Sequence, residues 1–138
     1  MLAGPKPTVH VVAALIYDEF GRVLVAQRPA GKPLAGQWEF PGGKIEAGES
    51  GAEALRRELN EELGVQVIAA RSLLELAHEY PDQQVLLSAW VVDAMHGVPA
   101  GLEGQRLQWT RPDALRSLPL LHADLPIVDW LESRHQAN

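Results

Sequence analysis

The chain has no cysteine, which excludes disulfides, thiol nucleophiles and cysteine-based zinc sites. It also lacks a basic excess. Lys and Arg total 12 against 18 Asp and Glu, for a net charge of −6, and that balance opposes attraction to a nucleic-acid backbone. No apolar run approaches the roughly 20 residues that span a bilayer. No serine stands in a G-x-S-x-G elbow, so acyl-enzyme chemistry has no carrier. The five histidines, His10, His78, His96, His122 and His135, show no HExxH or comparable ligand spacing. Met1 to Thr8 holds Gly4, Pro5 and Pro7 without the charged-then-apolar order of a signal peptide. The expectations are one domain over 1–138 with a flexible N-terminus over 1–7, a cytoplasmic location, and no membrane or stable nucleic-acid association.

What is present is acidic and concentrated. Between Gly43 and Val65 lie six glutamates: Glu46, Glu49, Glu53, Glu58, Glu61 and Glu62. Glu58, Glu61 and Glu62 fall at i, i+3 and i+4, so on a helix they share an arc of roughly 100°. Like charges at that spacing repel by a few tenths of a kcal/mol per pair. Bound cations offset such repulsion, and carboxylate oxygens suit hard ions such as Mg²⁺ or Mn²⁺, which in turn bind phosphate. An acidic protein can therefore hold a polyphosphate when the metal supplies the positive charge.

The helix itself is well marked. Ser50 and Glu53 have capping-box spacing, and Gly64 can end the helix. Ala52, Leu55, Leu59 and Leu63 form its apolar side, adjacent to the acidic arc, with Glu53 solvated or capping. Thr8 to Tyr17 is predicted as a buried strand, Asp18 to Gly21 as a turn, and Arg22 to Gln27 as the hairpin partner. Pro29 to Gly36 reads as a loop. Trp38 to Phe40 is a short strand closed by Pro41-Gly42-Gly43. Further strands are expected over Val65 to Ala69, Leu73 to Tyr80, Val85 to Val92 and around Leu107 to Trp109. His96 to Gly104 is a loop, Pro112 to Leu118 a turn of helix, and Asp124 to Arg134 a terminal helix. Trp38, Trp90, Trp109 and Trp130 are assigned to core or pocket wall. Strands interspersed with two helices predict an α/β fold with a mixed sheet between helical layers.

The acidic segment reads Gly43, five residues, Glu49, seven residues, then Arg57-Glu58-Leu59-Asn60-Glu61-Glu62-Leu63-Gly64-Val65. It resembles the box of the Nudix hydrolase family, G-x5-E-x7-R-E-U-x-E-E-x-G-U with U a bulky aliphatic, at every defined position. The resemblance implies the family's α/β/α sandwich and Mg²⁺ as cofactor, with Mn²⁺ able to substitute. Glu58, Glu61 and Glu62 would hold metal, and Arg57 would brace a carboxylate, Glu49 being the candidate. Trp38-Glu39-Phe40-Pro41-Gly42-Gly43-Lys44-Ile45-Glu46 is similar to the MutT branch, which hydrolyses oxidised nucleoside triphosphates to monophosphate and diphosphate. On that likeness Arg28 would contact phosphate and Gly42 would offer its carbonyl to metal. Glu39 lies on the strand entering the site, and Phe40 would line the base pocket. Glu103 matches an acid on a distant loop that reaches the metal. Glu58 is the first choice for general base and Glu103 the second.

Base recognition departs from the branch. The position of Asp124 is there an asparagine, which donates and accepts, whereas an ionised aspartate only accepts. Asp124 could take the N7–H of 8-oxoguanine or the exocyclic amine of a cytosine ring, and as a bland alternative it could cap a helix. The expected substrate is 8-oxo-dGTP or a related oxidised nucleotide. The alternatives are CTP or 5-substituted cytidine triphosphates, then ADP-ribose, then a silent nucleotide-sensing module. A monomer or weak dimer is expected.

Overall fold

The computed structural model describes residues 5–136. Residues 1–4 of the segment expected to be flexible lie outside the described residues. Within the rest of that segment, Pro7 O accepts from Gln84 N at 2.9 Å and Lys6 Nζ reaches Tyr80 O at 3.1 Å. In chain order the elements are β1 (Thr8–Leu15), β2 (Val23–Gln27), β3 (Trp38–Glu39), β4 (Gly42–Lys44), α1 (Gly51–Leu63), β5 (Gln66–Glu79), β6 (Gln84–His96), β7 (Arg106–Thr110) and α2 (Leu125–Gln136). Short 3-10 turns at Pro112–Ser117 and His122–Asp124 lead into α2.

The strands form two sheets, in the orders β4-β1-β6-β5 and β3-β2-β7, with β1 and β6 parallel. The four-stranded sheet is the mixed sheet expected from sequence, and the three-stranded antiparallel sheet stands beside it. The predicted β1–β2 hairpin survives only as a bridge between Tyr17 and Val23, because the two strands enter different sheets. Alternation then builds the layers. Val12 and Ala14 of β1, with Ile16 just beyond it, pack with Leu55, Leu59 and Leu63 of α1. Ala13 and Leu15 face the other way and pack with Ile127, Val128 and Leu131 of α2. Strands lie between the helices in an α/β/α arrangement. Among the described residues no helix is long and apolar enough to cross a membrane.

Three local expectations are corrected. Pro41-Gly42-Gly43 does not simply close a strand: Gly42–Lys44 is itself β4, antiparallel to β1 with Val12 opposite Gly43. The two strands expected between Val65 and Tyr80 are one, β5, whose register shifts between Val67 and Leu74 absorb the residues that break its alternation. On α1 the buried alanine is Ala54, with Ala52 only half-buried.

Candidate active site

α1 is held at both ends as its sequence predicts. Ser50 accepts from Glu53 N, and the Glu53 side chain accepts from Ser50 N in return. Gly64 closes the other end in the left-handed region at φ 70°, its N–H bonded to Asn60 O. This fixes the rotation of the helix, so that burying Leu55, Leu59 and Leu63 turns Glu58 and Glu62 toward β4. There the two glycines matter for what they lack. A Cβ on Gly42 would overlap the Val12 carbonyl, and one on Gly43 would lie within 2.6 Å of both Glu58 carboxylate oxygens. Glycine lets strand and acid touch.

Arg57 organises the opposite edge. Its Nε and one Nη hold Glu49 at 2.7 and 3.0 Å, the bidentate brace expected. The same guanidinium donates to Lys44 O at 2.9 Å, to Glu58 at 3.0 Å and to Glu61 at 3.4 Å. The Arg57 hydrogen bonds pull the Glu49 carboxyl down to about 2, helped by the Glu46 N–H. Arg57 rises correspondingly above its ordinary value, chiefly through Glu49.

Glu62 has no cationic partner of this kind. Its Oε2 accepts from Gly42 N at 3.2 Å, so the contact shown for Gly42 is through its amide. Burial, and then the like charges of Glu58, Glu103 and Glu39, push Glu62 up to about 8. Burial likewise raises Glu58, against the pull of Arg57. Glu61 is exposed at the rim beside Arg57.

Glu103 reaches this wall from the loop between β6 and β7. Ala100 N donates to Leu63 O at 3.0 Å and Leu102 N to Glu62 O at 3.1 Å, taking up carbonyls at the C-terminal end of α1. The Gln105 amide spans the junction, donating to Glu62 O at 3.0 Å and accepting from Glu103 N at 2.8 Å. Gln105 escaped the sequence reading; its only signal was a place two residues after Glu103.

Arg28 and Glu39 form the facing side, joined by an ion pair from Arg28 Nε. Arg28 also donates to Pro33 O at 3.2 Å. Burial raises the Glu39 carboxyl, with Arg28 opposing. Between the two sides is a cavity of about 320 Å³ that includes Arg28, Glu39, Gly42, Gly43, Glu62 and Glu103 in its walls. Val11, Arg28 and Glu39 also border a second cavity of about 500 Å³, where Phe40, Tyr80 and Asp124 are found. Asp124 is buried at 6% exposure. Its Oδ2 accepts from Phe40 N at 3.0 Å, a tie to the β3 end. Burial pushes Asp124 up to about 7 despite that bond.

The structure thus gathers Glu39, Glu62 and Glu103 around one cavity, with Glu58 against Gly43 beside Glu62 and Arg57 bonded to Glu58, and sets Phe40 and Asp124 in the adjoining one. Among the described residues no three His, Asp or Glu side chains stand at metal-ligating spacing. The donor chemistry nevertheless fits a hard divalent cation: carboxylate oxygens that raise one another's proton affinity call for positive charge.

A NUDIX domain model matches residues 6–131. A CTP pyrophosphohydrolase of Escherichia coli is 40% identical over 121 residues, covering 88% of this chain and 89% of that protein. An 8-oxo-dGTP diphosphatase of Haemophilus influenzae is 38% identical over 110 residues, covering 80% and 81%. The solution structure of the Escherichia coli ORF135 protein superposes with a TM-score of 0.85 at 38% identity, covering 98% of each chain.

Proposed function

The chain belongs to the Nudix hydrolase family, and from that premise we propose that it hydrolyses a nucleoside triphosphate to monophosphate and diphosphate. The preferred substrate in this reading is 8-oxo-dGTP or a related oxidised nucleotide, with Mg²⁺ as the divalent ion and Mn²⁺ able to replace it. One observation carries the reading. The acid-walled cavity shares Val11, Arg28 and Glu39 as walls with the cavity that Phe40 and Asp124 line. A polyphosphate fits the first and a purine ring the second.

In the reaction the oxygen of water bonds to the β-phosphorus. The bond from that phosphorus to the α,β-bridging oxygen breaks, and the bridging oxygen departs with the monophosphate. Divalent ions bound at the acids neutralise phosphate charge and lower the pKa of water. Glu58 takes the proton, Glu103 being the second candidate. Glu58, Glu61, Glu62, Glu103 and the Gly42 carbonyl would hold the metal. Arg57 keeps Glu58 oriented, and Arg28, steadied by Glu39, meets phosphate. At Asp124 one oxygen is engaged by Phe40 N–H. With a proton affinity near neutrality, its carboxyl can both donate and accept, as the oxidised guanine edge requires.

A second reading has its own support. The ionised form of Asp124 only accepts, which suits a cytosine amine, and a CTP pyrophosphohydrolase is among the relatives. Turnover of 8-oxo-dGTP, dGTP, CTP and 5-substituted dCTP by the purified protein separates the two. Highest kcat/KM for 8-oxo-dGTP is the expected result. Preference for a cytidine nucleotide would transfer the assignment to the second reading, and no diphosphate release from any of them would defeat both.

A further inference from the structure

The cations of this acidic chain are unevenly engaged. Arg22 is paired with Asp18, Arg57 with Glu49, Arg71 with Asp93, Arg111 with Asp113 and Arg116 with Glu132. Among the described residues, the side chains of Lys32, Lys44, Arg56 and Arg106 make no hydrogen bond or ion pair. Lys32, Lys44 and Arg106 border cavities that meet at Arg28. Lys32 and Lys44 stand at the acid-walled cavity. Arg106 stands with Arg28 at a third cavity, of about 410 Å³, which shares Gln27, Arg28 and Pro29 with the first and has no carboxylate in its walls. Arg28 therefore borders three cavities in turn: that of Asp124, that of the acids, and this cationic one.

We propose that Arg106, with Lys32 on the adjoining acid-walled cavity, forms a subsite for the terminal diphosphate of a nucleoside triphosphate and for the diphosphate released from it. The subsite rests on the proposed function and names the part of the substrate that this corner of the site recognises. Arg106 begins β7, paired in register with Gln27 next to Arg28, so a planar fork is presented from a strand and not from a long loop. That geometry suits two phosphate oxygens at once. The acid wall repels a polyphosphate unless metal intervenes, whereas this corner attracts it unaided. A cation with no protein partner also exchanges only water for the ligand on binding, so it gives up no ion pair. The terminal phosphate of the diphosphate meets Arg106, the β-group stays at the acid wall where water attacks it, and the α-group meets Arg28.

The test compares wild type with Arg106→Ala, and with Arg71→Ala as a surface control whose pair with Asp93 is remote from these cavities. Affinity for inorganic pyrophosphate in the presence of Mg²⁺ is measured by calorimetry. KM for a nucleoside triphosphate and the inhibition constants of pyrophosphate and of the nucleoside monophosphate are measured on the same preparations. Loss of Arg106 is expected to weaken pyrophosphate binding and raise the triphosphate KM roughly tenfold to a hundredfold, the scale of one charge-assisted bond. The monophosphate constant should stay as in the control. Unchanged pyrophosphate affinity, an equal loss for the monophosphate, or no pyrophosphate binding by wild type would each overturn the subsite. Arg106→Gln, which keeps the stem, replaces the alanine variant if the latter is not folded by circular dichroism. Should wild type hydrolyse no nucleotide, the proposed function fails, and the pyrophosphate affinities still decide the subsite.

Discussion

Glu62 and Asp124 are both carboxylates drawn away from water, and they differ in what surrounds them. Around Glu62 stand Glu58, Glu103 and Glu39, and the one compensating contact is a long hydrogen bond from Gly42 N–H. Around Asp124 the chief influence is burial, met by a shorter bond from Phe40 N–H. The first environment multiplies negative charge and calls for a cation from outside the chain. The second can be quieted by a single proton. Two acids with a similar rise in proton affinity are thus suited to the different tasks proposed for them, the one to metal and phosphate, the other to reading a neutral ring.

The largest effect should come from the acid wall. Glu58→Gln keeps shape and hydrogen-bonding capacity but removes the proposed base, and turnover should fall by roughly 10²- to 10⁴-fold with the circular dichroism spectrum unchanged. Near-normal turnover would take Glu58 out of that role and point to Glu103. A smaller loss is expected from Arg57→Lys, because an ammonium cannot fork onto Glu49 while also reaching Lys44 O and Glu58. Activity or metal affinity should drop roughly tenfold to a hundredfold, the range for residues that orient ligands. If lysine serves as well as arginine, the brace is only a charge.

Asp124→Asn should have the smallest effect, and it is the one that tests the other half of the comparison. The folded proton affinity of Asp124, about 7, lies above its ordinary 3.8. Its contribution to stability is therefore fully present below about 3.8 and is lost as pH rises through about 7, where the buried group must ionise. In metal-free buffer the wild-type melting temperature should decline across that window, and the asparagine variant should decline less. Parallel curves for the two proteins would mean that Asp124 does not couple proton binding to folding.

Much of the acid wall was legible because its information is local. Spacing alone set Glu58 and Glu62 on one side of α1, Ser50 and Gly64 marked its ends, and Arg57 was already a candidate partner for Glu49. β4 was not legible, since Gly42 and Gly43 have no β propensity and form a strand only because β1 lies alongside. Nor was the continuity of β5, where Arg71 and Ser72 interrupt the apolar pattern and register shifts restore it. The division into two sheets depends on which strand β1 chooses as neighbour, a contact between distant segments. The same holds for Gln105 and Arg106: both were ordinary polar residues until the fold set one against α1 and the other beside Arg28.

The lacing of the Glu103 loop to α1 has a consequence for how the enzyme can fail. Ala100 and Leu102 are bonded to the carbonyls of Leu63 and Glu62, so fraying of the final helical turn and retreat of Glu103 are one event. Amide exchange at Ala100, whose one bond is to Leu63 O, would report the joining of this loop to the helix end. A destabilising change anywhere in that turn would register as intermittent loss of catalysis well before the molecule as a whole unfolds.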